Sequence, residues 1–136
     1  MPRILAGTLA VSHAAFGLNY LVRPHEARTS WIGRAAKRPG TQVMVRAQGG
    51  RDVALGGGAL RALARADARE LQAWVAALTF ADLVDVGATY CARDALPERR
   101  ARMVLVLAGA STLVGTAALA TLARAGAERP PAGEAP

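Results

Sequence analysis

Two stretches of this chain, residues 4–22 and 103–123, contain no Asp, Glu, Lys or Arg. An α-helix rises about 1.5 Å per residue, so a run of about 20 uncharged residues covers the roughly 30 Å of a bilayer's hydrocarbon core. A solvated helix of that length shows a polar stripe. Here Thr and Ser interrupt the runs, but no charge does. Between them lie two further apolar segments that carry charge near their centres, Arg51 and Asp52 in one, Asp82 and Asp85 in the other. Charge at that depth in a bilayer is costly, and an intramembrane ionisable side chain marks a functional site by default.

The 136 residues suffice for one domain of four spanning helices with short connections. A hydrophobic fraction of 52% and a mean hydropathy of +0.20 are modest for a membrane protein. A soluble Ala/Arg-rich four-helix bundle is therefore the competing reading, and the missing polar stripe on the outer segments argues against it. The single cysteine, Cys91, excludes an internal disulfide, a Cys-rich metal site and a dithiol redox pair. A net charge of +7 is compatible with nucleic-acid binding. No binding motif accompanies it, and topology and anionic lipid headgroups account for the loop arginines, so no nucleic-acid partner is expected.

The pattern predicts an all-α, antiparallel bundle of four transmembrane helices at about 3–22, 43–64, 71–91 and 103–123. Together they form one membrane domain, 1–124. Pro24 stops the first helix, residues 23–42 make the longest loop with an interfacial patch at Trp31 and Ile32, and 125–136 reads as a disordered tail. The first apolar run exceeds the usual signal-peptide core and has only Arg3 before it, so a span is favoured over a cleaved leader. Nine basic residues fall in loops 23–42 and 92–102, against five on the other side. The positive-inside rule makes those loops cytoplasmic and both termini external, in a multi-pass protein of the cell inner (plasma) membrane.

Depth brings the ionisable residues together. His13, Arg51, Asp52 and Asp82 each fall near the middle of a helix, with Asp85 one turn from Asp82 on the same face. Arg51 and Asp52 diverge by about 100° around their axis, so one faces the third helix and the other the first or fourth. Three carboxylates against Arg51 and the more peripheral Arg46 leave an excess of negative charge, which a proton on a carboxyl or on His13 relieves. The expectation is that Asp82 and Asp85 act as a coupled acid/base pair, with Arg51, Asp52 and His13 in the same catalytic cluster. Arg46, Asn19, Gly56 and Thr89 are the expected binding residues. Each charged residue also has a plainer reading, as a static ion pair fixing helix register or an interior hydrogen bond. No metal is expected, because no helix carries a His-x-x-Glu or Glu-x-x-His pair, and no cofactor either. Small residues at 54, 58 and 62 form a packing ridge, as do 73, 77 and 81 and the pair 111 and 115, while Gly49 and Gly50 are expected to loosen their helix.

The segment Gly50-Arg51-Asp52-Val53-Ala54-Leu55-Gly56, followed by Ala81-Asp82-Leu83-Val84-Asp85, resembles small four-helix integral membrane proteins of bacteria and fungi that are grouped as a domain of unknown function. The resemblance covers about the middle half of the chain. It implies a membrane fold in which Arg51, Asp52, Asp82 and Asp85 are the matching positions, and it implies no particular activity.

Three functions remain open on the sequence. One is a membrane-embedded enzyme that binds a lipophilic small molecule and moves a proton on it, as an isomerase or cyclase does. Another is a small proton-coupled exporter, with a homodimer as its expected assembly; the arginine near the carboxylates weakens it. The last is a structural or accessory membrane subunit whose charges serve assembly alone.

Overall fold

The computed structural model describes residues 2–127, with the side chains at 27, 28 and 30 outside the description. Among the described residues the regular structure is entirely helical: α1 (Pro2–Val22), α2 (Pro24–Ile32), α3 (Pro39–Ala64), α4 (Ala68–Cys91) and α5 (Glu98–Ala127), with short 3-10 turns at Gly33–Lys37 and Arg93–Ala95. Prolines punctuate this order. Arg38 and Leu96, each preceding a proline, are extended, with ψ of 134° and 152°. A proline's ring disfavours helix in the residue before it but suits the first helical turn. Pro39 therefore begins α3, and Pro24 begins α2 in the same way.

This corrects the loop expected over 23–42, most of which is helical. Proline there was legible as a stop for α1, but it is equally a start for the next helix. The segment is held in place: Arg100 of α5 donates from Nη1 to the carbonyl of Thr29 at 2.8 Å, and α2 ends on buried Gly33 at φ +66°, a conformation that side chains with a Cβ rarely adopt. Helix α3 accordingly starts at Pro39 rather than near 43, and α5 runs from Glu98 to Ala127 rather than over 103–123. Of the expected tail, residues 125–127 continue α5, and 128–136 lie outside the described residues.

The α3–α4 connection is a tight turn. Asp67 caps α4, its carboxylate accepting the Glu70 amide at 2.9 Å, and Ala66 takes the left-handed conformation at φ 56°.

The four long helices pack antiparallel in the ring order α1, α3, α4, α5, with α5 returning against α1. Three of them, α1, α4 and α5, are long and apolar enough to cross a membrane. Helix α3 has the length, at 26 residues, but carries Arg46, Arg51, Asp52 and Arg61. Of the four spans expected, three are long and apolar enough to cross a membrane, and the charge-bearing α3 is not among them. On those three, large apolar side chains face outward: Ile4, Val11, Phe16 and Leu18 from α1, Phe80, Leu83 and Val84 from α4, and Val106, Leu107 and Leu113 from α5. Monomeric proteins in water rarely leave that much contiguous apolar surface uncovered.

The interior divides into two halves. Toward the α3–α4 turn it is a dry core of Ala6, Leu9, Ala10, Ala59, Ala62, Leu71, Val75, Leu78, Ala118 and Leu122. Toward α2 it becomes polar and opens into a cleft.

Candidate functional site

The polar half is built from the close approach of α1 and α3. Gly49, Asp52 and Gly56 lie three and four residues apart and share one face of α3, opposite Ala10, His13, Ala14 and Gly17 of α1. A Cβ on Gly17 would fall 2.7 Å from the Gly49 carbonyl oxygen, and one on Gly56 would fall 2.6 Å from that of Ala10. Only glycine permits backbones so close. The consequence is chemical, because the short side chain of Asp52 is thereby carried up to His13.

His13 sits between two carboxylates. Its Nε2 lies 3.3 Å from Asp82 Oδ2, and its Nδ1 lies 4.0 Å from Asp52 Oδ1. The second distance is too long for a hydrogen bond, so Nδ1 is buried without one. All three residues are enclosed, with relative exposures of 8% for His13, 4% for Asp52 and 6% for Asp82. Ser111 of α5 donates to the same Asp82 oxygen, Oδ2, at 2.5 Å. Asp82 Oδ1 takes neither of these contacts.

Arg51 serves the other two acids. Its Nε donates to Asp52 Oδ1 at 2.9 Å, and its Nη2 to Asp85 Oδ2 at 3.1 Å. Gln48 adds a bond to Asp85 Oδ2 at 2.9 Å. The connected group therefore runs Gln48, Asp85, Arg51, Asp52, His13, Asp82, Ser111 and draws on all four long helices. It holds one guanidinium and three carboxylates.

Asp82 and Asp85 share a helix face, as their spacing requires, yet they answer to different partners: Asp82 to His13 and Ser111, Asp85 to Arg51 and Gln48. The two acids expected to act as a pair thus have separate hydrogen-bond partners, because α1 and α5 approach one and α3 the other. Arg46 is exposed and outside the cluster. Gly56 is not part of the cleft lining and serves the α1–α3 contact. Thr89 is buried and donates to the Asp85 carbonyl of its own helix at 2.7 Å, which keeps it out of the cleft. Asn19 does line the cleft. Of the ridge expected at 54, 58 and 62, Gly58 meets the Trp74 ring of α4 and Ala62 is buried, while Ala54 is exposed. Gly49 and Gly50 leave α3 unbroken.

The cleft has a volume of about 550 Å³, within the range of drug-sized ligand sites. Its base is His13, Asp52, Asp82, Asp85 and Ser111. Its rim between α1 and α5 is Phe16, Met103 and Leu107, which are 58%, 42% and 62% exposed on the outer apolar surface. The cleft therefore opens sideways between two helices that are apolar enough to lie in lipid. Toward α2 the cleft is lined by Trp31 and by the exposed Arg23 and Glu26, which pair at 3.8 Å.

Reasoning from sequence missed Ser111, Gln48 and Trp31 as site residues. Ser111 carried a signal, being the polar residue of α5 at the depth of Asp82, but serine in an apolar helix more often bonds its own backbone. Among the described residues no three His, Cys, Asp or Glu side chains are grouped so as to hold a metal ion. The chain matches no protein-family model, no curated protein and no solved structure.

Proposed function

We propose that this is an integral membrane protein whose lateral cleft binds a lipophilic small molecule and moves a proton on it, in the manner of an isomerase or cyclase. The observation that carries the reading is the placement of the enclosed His13, Asp82 and Ser111 group at the base of a cleft whose rim is the lipid-facing surface itself. A ligand dissolved in the bilayer reaches that base without passing through water.

The chemistry follows from the contacts. Asp82 Oδ2 accepts from Ser111 and contacts His13 Nε2, which fixes its carboxyl plane and leaves Oδ1 for the ligand. His13 Nε2 lies 3.3 Å from Asp82, so a proton that Asp82 takes from the ligand can be held between the carboxylate and the imidazole and returned to the ligand at another atom. No net proton is gained or lost, as an isomerisation or cyclisation requires. Arg51 pairs with both Asp52 and Asp85 and so ties α3 to α4. In this reading α3 crosses the bilayer as a fourth span, its charges turned inward or carried at its ends, with loops 23–42 and 92–102 cytoplasmic and both termini external.

A second reading, a proton-coupled exporter, is favoured by one observation: the arginine that weakened it on sequence grounds contacts Asp52 and Asp85, and Asp82 has no contact with it. The deciding experiment incubates membranes containing the wild type or Asp82→Asn with a lipophilic metabolite extract and follows conversion by mass spectrometry. Conversion by the wild type and its loss in the variant supports the enzyme. Equal conversion by both rejects it, and proton flux driven by substrate in proteoliposomes favours the exporter.

A further inference from the structure

The charges around the cleft are unbalanced. Three carboxylates, Asp52, Asp82 and Asp85, form its base, and the guanidinium of Arg51 that faces them contacts two, Asp52 and Asp85. Counting Arg51 alone, the cluster carries a formal charge of −2; counting His13 as a cation, it is still −1. The remaining charged residues of the lining, Arg23 and Glu26, pair with each other. Helix α5 contributes Met103, Val104, Leu107, Ala108 and Ser111 to the wall, none of them charged. An uncompensated negative charge in a low-dielectric setting is unfavourable, and a ligand that supplies the missing positive charge is bound more tightly for it.

The surroundings also say what form that charge takes. A bare metal ion needs several converging oxygen ligands, whereas Asp82 and Asp85 are turned to different partners. The wall is instead apolar and aromatic, with Phe16, Tyr20 and Trp31 in the lining. Aromatic faces attract organic ammonium groups, and apolar walls suit a hydrocarbon body. An anionic headgroup has no free guanidinium to meet at the base.

We infer that the ligand of this cleft is a cationic amphiphile, an organic ammonium group on an apolar body, with Asp82 as its counter-ion and the body lying across Phe16 and Leu107 toward the lipid. The inference rests on the reading of the cleft as a site for a lipophilic small molecule, and it adds the sign of the ligand's charge.

The test uses the full chain in nanodiscs of zwitterionic lipid. The chain has two tryptophans, Trp31 in the cleft and Trp74 beside Gly58. Trp74→Phe leaves Trp31 fluorescence as the reporter. Three probes share a twelve-carbon body and differ in headgroup: dodecyltrimethylammonium, dodecanol and dodecanoate, compared at equal mole fraction in the membrane. The ammonium probe is expected to bind roughly tenfold or more tighter than dodecanol, the scale of a partly desolvated charge pair. Asp82→Asn is expected to remove that preference, so that the ammonium probe and dodecanol bind alike. Equal binding of all three probes, or tightest binding of dodecanoate, overturns the cationic ligand but keeps the lipophilic cleft. Failure of every probe to bind overturns both. A preference that survives in Asp82→Asn overturns the counter-ion assignment, and if that variant does not fold, the comparison of headgroups on the wild-type cleft still decides the sign of the ligand.

Discussion

The two main helix seams of this bundle are closed in different ways. Between α1 and α3, Gly17, Gly49 and Gly56 bring backbone against backbone, and an added Cβ at any of the three would fall 2.6 to 2.7 Å from a carbonyl oxygen. Between α4 and α5, Gly115 instead faces the side chain of Thr79, which already has a hydrogen bond to the Val75 carbonyl and can turn aside. A backbone cannot rotate out of the way, but a threonine can. The first seam is therefore rigid and sets the separation of His13 and Asp52, while the second tolerates adjustment and carries the Ser111 bond to Asp82. Precision is concentrated where two charged partners face each other across helices, which is where a site needs it.

Substitutions that thicken each seam test this contrast directly. The largest effect is expected for Gly56→Ala, which forces α1 and α3 apart and should cost about 3 kcal/mol, at the upper end of overpacking penalties. It should also weaken ligand binding at His13, measured as unfolding in bicelles alongside Trp31 titration. If Gly56→Ala proves as mild as Gly115→Ala, the two seams do not differ.

Next in size is the coupling between Arg51 and Asp85, which ties α3 to α4. A double-mutant cycle with Arg51→Met and Asp85→Asn should give an interaction of about 1–2 kcal/mol in stability. Unchanged ligand binding in these variants assigns the pair to helix register alone, and loss of binding in step with stability would make the whole cluster one unit.

Gly115→Ala should cost about 1 kcal/mol or less in the same unfolding assay, because the rotation of Thr79 is offset in part by the better helix propensity of alanine. A loss as large as that of Gly56→Ala would show that the second seam is equally stiff.

The smallest change concerns the turn that joins the seams. Ala66 holds φ 56°, a conformation costing an L-residue about 1 kcal/mol, so Ala66→Gly should be stabilising by roughly 0.5 kcal/mol after its entropy cost. A destabilised Ala66→Gly protein would mean the turn is held by contacts that glycine loses.

Much of the helical layout was legible because its signals are local. The uncharged runs marked α1 and α5, and Asp52, Asp82 and Asp85 stood out by depth along their helices. The angular divergence of Arg51 and Asp52 was legible too: Arg51 reaches Asp85 on α4 and Asp52 faces His13 on α1. Helix α2 was read as loop because proline ends one helix and begins another with the same geometry, and only the packing of Arg100 and Gly33 distinguishes the outcomes.

Sequence by itself determined where the four long helices lie and at what level charge enters them, since both depend on neighbours a few residues away. The tertiary structure decided which glycines are contacts and which are bystanders, that Asp82 belongs to His13 and Ser111 while Asp85 belongs to Arg51, and that the cleft faces sideways. Those outcomes depend on how closely and at what rotation separate helices meet, and helical periodicity fixes the faces of each helix without fixing which faces meet.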